Sequence, residues 1–266
     1  MFGRMADFQH IKTKVEDNVA TLTLASPPVN ALSPAVLKEM LAALDSFKQQ
    51  KVRAVIITGS GANAFCAGAD VKAMRDLETN PEKAAEFLAI GLDTFAKIEN
   101  FPAPVIAAVN NLCLGGGMEL ILSCDIRISS DRARFGLPEV TLGLIPAWGG
   151  TARLPRVVGP GNAKELIYTG QLVNAQAALR IGLLNKVVPD GDEVRAALDI
   201  AKRIATKASP VGVRNAKQAI NEGLGQPLEV AIGASEKVMG EVMTSKDLRE
   251  GITAFIEKRP PAYKGE

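Results

Sequence analysis

The middle of the chain places a buried strand, a glycine triplet and an apolar helix one after another. Residues 105–109 form an unbroken apolar run that predicts a buried strand. Gly115–Gly117 follow and let the main chain pass close to a ligand, because no Cβ stands in the way. The apolar residues 118–122 then predict a helix, whose first N–H groups have no partner inside the helix. This order predicts an α/β fold with an anion-binding loop.

Two carboxylates indicate what such a loop could serve. The loop lacks the Gly-Lys-Ser/Thr ending of a nucleotide P-loop, so we expect it to bind an oxyanion. Glu119 lies in the apolar helix and Glu139 lies in a predicted loop with apolar neighbours. Taken singly, Glu119 could complement the helix dipole and Glu139 could be a solvated loop residue. Together, beside one glycine-rich loop, they indicate acid–base chemistry at an anion site.

Strands and helices alternate on both sides of this stretch, and the chain is almost entirely helical towards its end. The predicted strands outside it lie within residues 8–24 (a hairpin), 53–58, 125–129 and 187–188. The predicted helices begin at or near residues 34, 81, 149, 161, 175, 193, 210, 227 and 245. The change in pattern predicts a boundary near residue 205 and two regions, 1–205 and 206–266.

Composition and charge exclude several classes of function. With 266 residues, 47% of them hydrophobic, the chain can bury a substantial core. The net charge of +2, without a lysine or arginine cluster, implies no nucleic-acid partner. His10 is the single histidine, which excludes a Ser-His or Cys-His nucleophile, and the three cysteines, without a CxxC pair, indicate structural thiols in a reducing compartment. No apolar run suits a signal peptide or a membrane span, so we expect no membrane partner and a cytoplasmic location.

Four segments, in this order, resemble the enoyl-CoA hydratase/isomerase (crotonase) family. They are residues 64–72 (AFCAGADVK), 104–119, 135–153 and 250–255 (EGITAF). The resemblance covers nearly the whole chain and implies a crotonase-like spiral of strand–strand–helix turns, followed by a helical C-terminal region that joins subunits. It also implies an acyl-CoA thioester substrate and a homotrimer or dimer of trimers. No metal and no cofactor are implied, since coenzyme A enters as part of the substrate.

The resemblance assigns roles to individual residues. The N–H groups of Ala69 and Gly116 would form the oxyanion hole, and Glu119 and Glu139 would be the catalytic pair. The predicted substrate and coenzyme A contacts are Val29, Ala31, Ala67, Gly68, Ala69, Asp70, Val71, Lys72, Gly116, Phe255 and Lys258. Asp70 could instead cap a short helix after it. Ala147 stands where the family often has glycine, and we expect Trp148 to be a packing wall.

The carboxylate pair favours one reaction among several that the family carries out. An enoyl-CoA hydratase adds water across the C2–C3 double bond of a 2-enoyl-CoA, reversibly, and would use both Glu119 and Glu139. An enoyl-CoA isomerase needs only one base, for which Glu139 is the candidate. Other acyl-CoA lyases and hydrolases of the family share the oxyanion hole. From another class, the chain could be a non-enzymatic acyl-CoA-binding assembly subunit.

Overall fold

The computed structural model describes residues 8–71 and 80–266, and Lys72, a predicted coenzyme A contact, lies outside the described residues. The strands are β1 Ile11–Glu16, β2 Val19–Leu24, β3 Ala54–Gly59, β4 Ala64–Cys66, β5 Val105–Val109, β6 Leu112–Leu114, β7 Ile126–Ser130, β8 Arg134–Gly136, β9 Val173–Asn174 and β10 Lys186–Val188. The helices are α1 Pro34–Gln49, α2 Pro81–Glu99, α3 Gly116–Leu122, α4 Gly150–Thr169, α5 Ala175–Arg180, α6 Glu193–Lys207, α7 Pro210–Gly223, α8 Leu228–Thr244 and α9 Lys246–Ile256. A 3-10 helix spans Pro138–Leu142.

The larger sheet has six strands in the order β1-β2-β3-β5-β7-β10. Strands β1 and β2 form the predicted antiparallel hairpin, and the remaining neighbours are parallel. The carboxyl ends of parallel strands lie at one edge of a sheet, where ligands commonly bind. The chain segments that leave β3 and β5 therefore start from the same edge, and these segments carry the predicted oxyanion residues.

A smaller sheet of four short strands, β4-β6-β8-β9, carries the site. Strands β4, β6 and β8 are parallel, and Cys66 pairs in register with Cys113. Both thiols and that of Cys124 are buried and free, as expected for structural cysteines. The sequence pattern does not predict this sheet, because strands of two or three residues are too short to show a periodicity.

Helix starts follow the capping residues in the sequence. The Ser33 Oγ accepts a hydrogen bond from the N–H of Val36 (3.3 Å) at the start of α1, and the Asn80 Oδ1 accepts one from Lys83 (3.1 Å) at the start of α2. Each of these helices has proline in its first turn, as predicted. The helices predicted near residues 149 and 161 form one element, α4, with a kink at Gly159, whose φ of 79° and ψ of 156° are not helical.

The C-terminal helices divide into a buried and an exposed part. Helix α6 packs four alanines against the large sheet: Ala196, Ala197, Ala201 and Ala205. The predicted boundary near residue 205 thus falls in the last turn of α6, and the division into two regions stays a prediction. Helix α8 buries none of its residues. Among the described residues, no helix combines the length and the apolar character needed to cross a membrane.

Candidate active site

The main chain of two loops meets where the oxyanion hole is predicted. A Cβ built on Gly68 would lie 3.3 Å from the Gly116 nitrogen, and a Cβ built on Gly116 would lie 3.4 Å from the Ala69 nitrogen. Three backbone hydrogen bonds hold the loop that follows β4: Ala67 N–H to the Val29 oxygen (3.0 Å), Leu32 N–H to the Gly68 oxygen (2.8 Å) and Asp70 N–H to the Leu32 oxygen (3.0 Å). The N–H of Ala69 takes no part in this pairing. The amides of Ala69 and Gly116 therefore border the same space.

Glu119 lies in the first turn of α3, and only 3% of its surface is exposed. Its Oε1 accepts a hydrogen bond from the Gly150 N–H (2.8 Å), and the Trp148 N–H also stabilises the carboxylate. Burial raises the pKa of Glu119 from its ordinary value of 4.5 to about 7, because the ionised form loses its hydration. The two N–H groups oppose this rise and the charge of Glu139 adds to it. A carboxyl group with this pKa can exchange a proton near neutral pH.

Glu139 lies in the 3-10 helix at the edge of the same space. A Cβ built on Gly115 would lie 2.9 Å from the Glu139 Oε1, so this carboxyl group lies against the glycine loop. Its Oε2 is buried and has no hydrogen-bond partner among the described residues. Burial raises the pKa of Glu139 above its ordinary value. An unpaired carboxyl oxygen beside an open main-chain loop is placed to act on a bound molecule.

The structure thus brings together the four residues that carry the predicted chemistry: Ala69, Gly116, Glu119 and Glu139. The predicted coenzyme A contacts fall into two groups. Residues 29–32 pair with residues 67–70 and border the oxyanion loops, and Val71 follows them with 64% of its surface exposed. Phe255 and Lys258 lie at the end of α9, which packs against α7 and α8.

Sequence reasoning missed the residues that hold Glu119 in place. The Gly150 N–H reaches Glu119 from the start of α4. Arg153, one turn further on, forms a two-point ion pair with Glu99 (3.3 and 2.7 Å) and donates from Nη1 to the Trp148 oxygen (3.0 Å). The only available signal was a charged Arg153 behind a glycine pair. Trp148 is the predicted packing wall, since it is buried and meets the rings of Phe87 and Phe95 edge-to-face.

Comparison with known proteins identifies the family of this chain. The family model described as enoyl-CoA hydratase/isomerase matches residues 14–266. The chain belongs to the enoyl-CoA hydratase/isomerase family. It is 43% identical over 255 residues to the short-chain-enoyl-CoA hydratase of Clostridium acetobutylicum, covering 95% of this chain and 97% of the relative. It is also 43% identical over 254 residues to the crotonyl-CoA hydratase of Syntrophomonas wolfei, covering 95% and 96%.

A solved member of the enoyl-CoA hydratase/isomerase family has the same fold. The crystal structure of the enoyl-CoA hydratase from Bacillus anthracis superposes with a TM-score of 0.92 at 42% identity, covering 97% of this chain and 100% of that one. The predicted family and its crotonase-like α/β fold are therefore confirmed.

Proposed function

We propose that this protein is an enoyl-CoA hydratase that adds water across the C2–C3 double bond of a short 2-enoyl-CoA thioester. The observation that carries the proposal is the placement of two buried or half-buried carboxyl groups, Glu119 and Glu139, beside the amides of Ala69 and Gly116. The names of the two relatives, a short-chain-enoyl-CoA hydratase and a crotonyl-CoA hydratase, support the reaction and the short acyl chain. The same groups would catalyse the reverse dehydration of a 3-hydroxyacyl-CoA.

The two amides would act on the thioester oxygen. As water attacks C3, electrons move through the double bond and negative charge develops on this oxygen. The N–H groups of Ala69 and Gly116 would donate hydrogen bonds to it, and the loss of one such donor raises a barrier by about 3 kcal/mol. Because both donors belong to the main chain, they need no rearrangement when the charge develops.

The two carboxyl groups would divide the proton transfers. Ionised Glu119 accepts a proton from the water that forms the C3–O bond, and protonated Glu139 delivers a proton to C2. The pKa of about 7 lets Glu119 exchange a proton near neutral pH, and burial also raises the pKa of Glu139 above its ordinary value. Solvent exchange returns a proton to Glu139 and removes one from Glu119 after product leaves. No cofactor beyond the coenzyme A of the substrate enters this scheme.

Double-bond migration is the second candidate, and one observation favours it. Of these two carboxyl groups, that of Glu139 has an oxygen that is buried without a partner among the described residues, whereas that of Glu119 accepts the Gly150 N–H. One carboxylate can move a proton between C4 and C2, so an isomerase could use Glu139 alone.

A panel of thioesters tests these alternatives. Incubation with 2-enoyl-CoA of four to ten carbons should abolish the absorbance of the conjugated thioester, fastest for short chains. Faster turnover of 3-enoyl-CoA than hydration of 2-enoyl-CoA would favour the isomerase. Binding without turnover of any of these thioesters would contradict both and favour an acyl-CoA-binding subunit.

We also propose that the chain forms a homotrimer or a dimer of trimers in the cytoplasm. Helix α8 supports this proposal, because none of its own residues is buried in the protomer. Its exposed apolar side chains are Leu228, Val230, Ile232, Met239 and Met243. Size measurement and cell fractionation test the two parts separately.

A further inference from the structure

The indole ring of Trp148 lies between two glycines on opposite sides of it. A Cβ built on Gly91, in the middle of α2, would overlap the Nε1 edge of the ring. A Cβ built on Gly116 would lie 2.6 Å from Cζ3 and 2.8 Å from Cε3, at the opposite edge. The ring therefore fills the whole space between α2 and the oxyanion loop, and both glycines are needed to admit it.

Several contacts fix this ring. Phe87 and Phe95 meet it edge-to-face, with ring centroids 5.0 and 5.7 Å away. Arg153 donates to the Trp148 carbonyl oxygen and is itself held by Glu99. Only 6% of the Trp148 surface is exposed. The ring cannot swing away without displacing two aromatic side chains, so it presents a rigid edge to Gly116.

We propose that Trp148 limits the length of the acyl chain that this enzyme accepts, and that Gly91 sets the depth of this limit. The inference rests on the proposed function. A thioester oxygen bound at the Gly116 amide brings the first acyl carbons beside Gly116, which the indole edge borders. Extra methylene groups then need volume that the ring occupies. A side chain at residue 91 would push the ring further towards Gly116, so glycine there leaves room for a short acyl chain.

Substitutions that move side-chain volume from residue 148 to residue 91 test whether the Trp148 ring limits the acyl chain. Trp148→Ala opens the space, and Gly91→Leu in the same chain refills it from α2. We expect the ratio of kcat/KM for octenoyl-CoA over crotonyl-CoA to rise at least about tenfold in Trp148→Ala. The ratio should return towards the wild-type value in the double variant and change little in Trp148→Phe. Equal loss on every chain length would overturn the proposal and leave Trp148 a packing residue.

Further variants and a binding measurement separate an effect on acyl-chain selectivity from effects on stability and on the rate of reaction. Trp148→Leu, which retains more volume, replaces Trp148→Ala if circular dichroism shows the latter to be unfolded, and a smaller shift in the same direction is expected. Phe47→Ala makes a large cavity in the core at α1 and should change activity on all chain lengths alike. Calorimetry with butyryl-CoA and octanoyl-CoA reports the same selectivity without turnover. If the wild-type protein hydrates none of these thioesters, the proposed function is wrong. If the Trp148 variants bind butyryl-CoA and octanoyl-CoA with the same selectivity as wild type, the proposed role of Trp148 is wrong.

Discussion

At the scale of single residues, the buried carboxyl group of Glu119 lowers the stability of the folded protein when it is ionised, which is the form that the proposed reaction needs. Its pKa is about 7 in the folded protein and near 4.5 when the carboxyl group is in water, so the folded chain binds this proton more tightly than the unfolded chain. Stability from this group is therefore greatest below pH 4.5 and is lost as the pH rises towards 7. The difference of about 2.5 in pKa corresponds to about 3 kcal/mol at alkaline pH.

Glu119→Gln should therefore stabilise the protein at pH 8 by up to about 3 kcal/mol and by less than about 1 kcal/mol at pH 5. The amide removes the buried charge and can still accept the Gly150 N–H. Urea unfolding at both pH values measures the effect, with the exposed Glu86→Gln as control. Parallel pH dependence in wild type and Glu119→Gln would show that Glu119 is not the group responsible.

The same substitution tests the division of proton transfers. Glu119→Gln cannot take a proton from water, so kcat for hydration should fall by about a hundredfold or more. The KM should change little, because the loss falls on the transition state. Glu139→Gln should be similarly impaired. An almost fully active Glu119→Gln beside an inactive Glu139→Gln would instead identify an isomerase that uses one carboxylate.

At the scale of elements, long and regular segments could be predicted and short ones could not. The pattern predicts both bounds of β5 and the first residues of α2 and α6 as the structure has them, because each is long enough, or apolar enough, to show its period and its caps. The small sheet escapes prediction because its strands are stabilised by their neighbours rather than by their own sequence. The bond from Gly150 to Glu119 escapes it because it joins residues far apart in the chain. The pair of carboxyl groups, Glu119 and Glu139, could be found from the sequence, since two carboxylates in apolar surroundings are unusual.

Helix α3 and strand β4 pack so closely that one methyl group should separate them. A Cβ on Gly117 would overlap the carbonyl oxygen of Cys66 and lie 2.8 Å from its Cβ. Gly117→Ala should therefore destabilise the protein by about 2 kcal/mol or more, because backbone cannot move aside as a side chain can. It should also lower kcat, since α3 and β4 position Gly116 against Ala69.

Gly161→Ala is the matched control for this substitution. A Cβ at Gly161, in α4, has no neighbour within 4 Å among the described residues, so this change should be neutral or stabilise by up to about 1 kcal/mol. Urea midpoints of the two variants measure the difference. Equal midpoints would mean that α3 and β4 can separate without cost.

At the scale of the whole molecule, the C-terminal region has residues that are hydrogen-bonded to the rest of the protomer and apolar side chains that are exposed. The Asp247 carboxylate is 2% exposed and accepts the N–H groups of Lys264 and Gly265 (2.9 and 3.1 Å). Arg53 donates to the Tyr263 oxygen, so the end of the chain is bound to the residue that precedes β3. By contrast, Leu228 and Met243 on α8 and Phe255 at the end of α9 are 73%, 59% and 85% exposed in the part of the chain that the structure describes. Several large apolar side chains exposed on neighbouring helices are typical of a surface that contacts another protein.

Point substitutions on α8 should reduce the assembly without unfolding the protomer. Deletion of residues 245–266 would be ambiguous, because it also removes the contacts of Asp247 and Arg53. Leu228→Glu combined with Met243→Glu places charges on side chains that are 73% and 59% exposed, so the protomer should keep its urea midpoint. Each of these side chains would contribute about 1.5 kcal/mol or more if buried between subunits, so dissociation should become at least a hundredfold easier. Light scattering measures the size, and Glu236→Gln, on the same helix, should leave it unchanged. A wild-type protein that is monomeric in solution would contradict the proposal that the exposed apolar side chains of α8 lie between subunits.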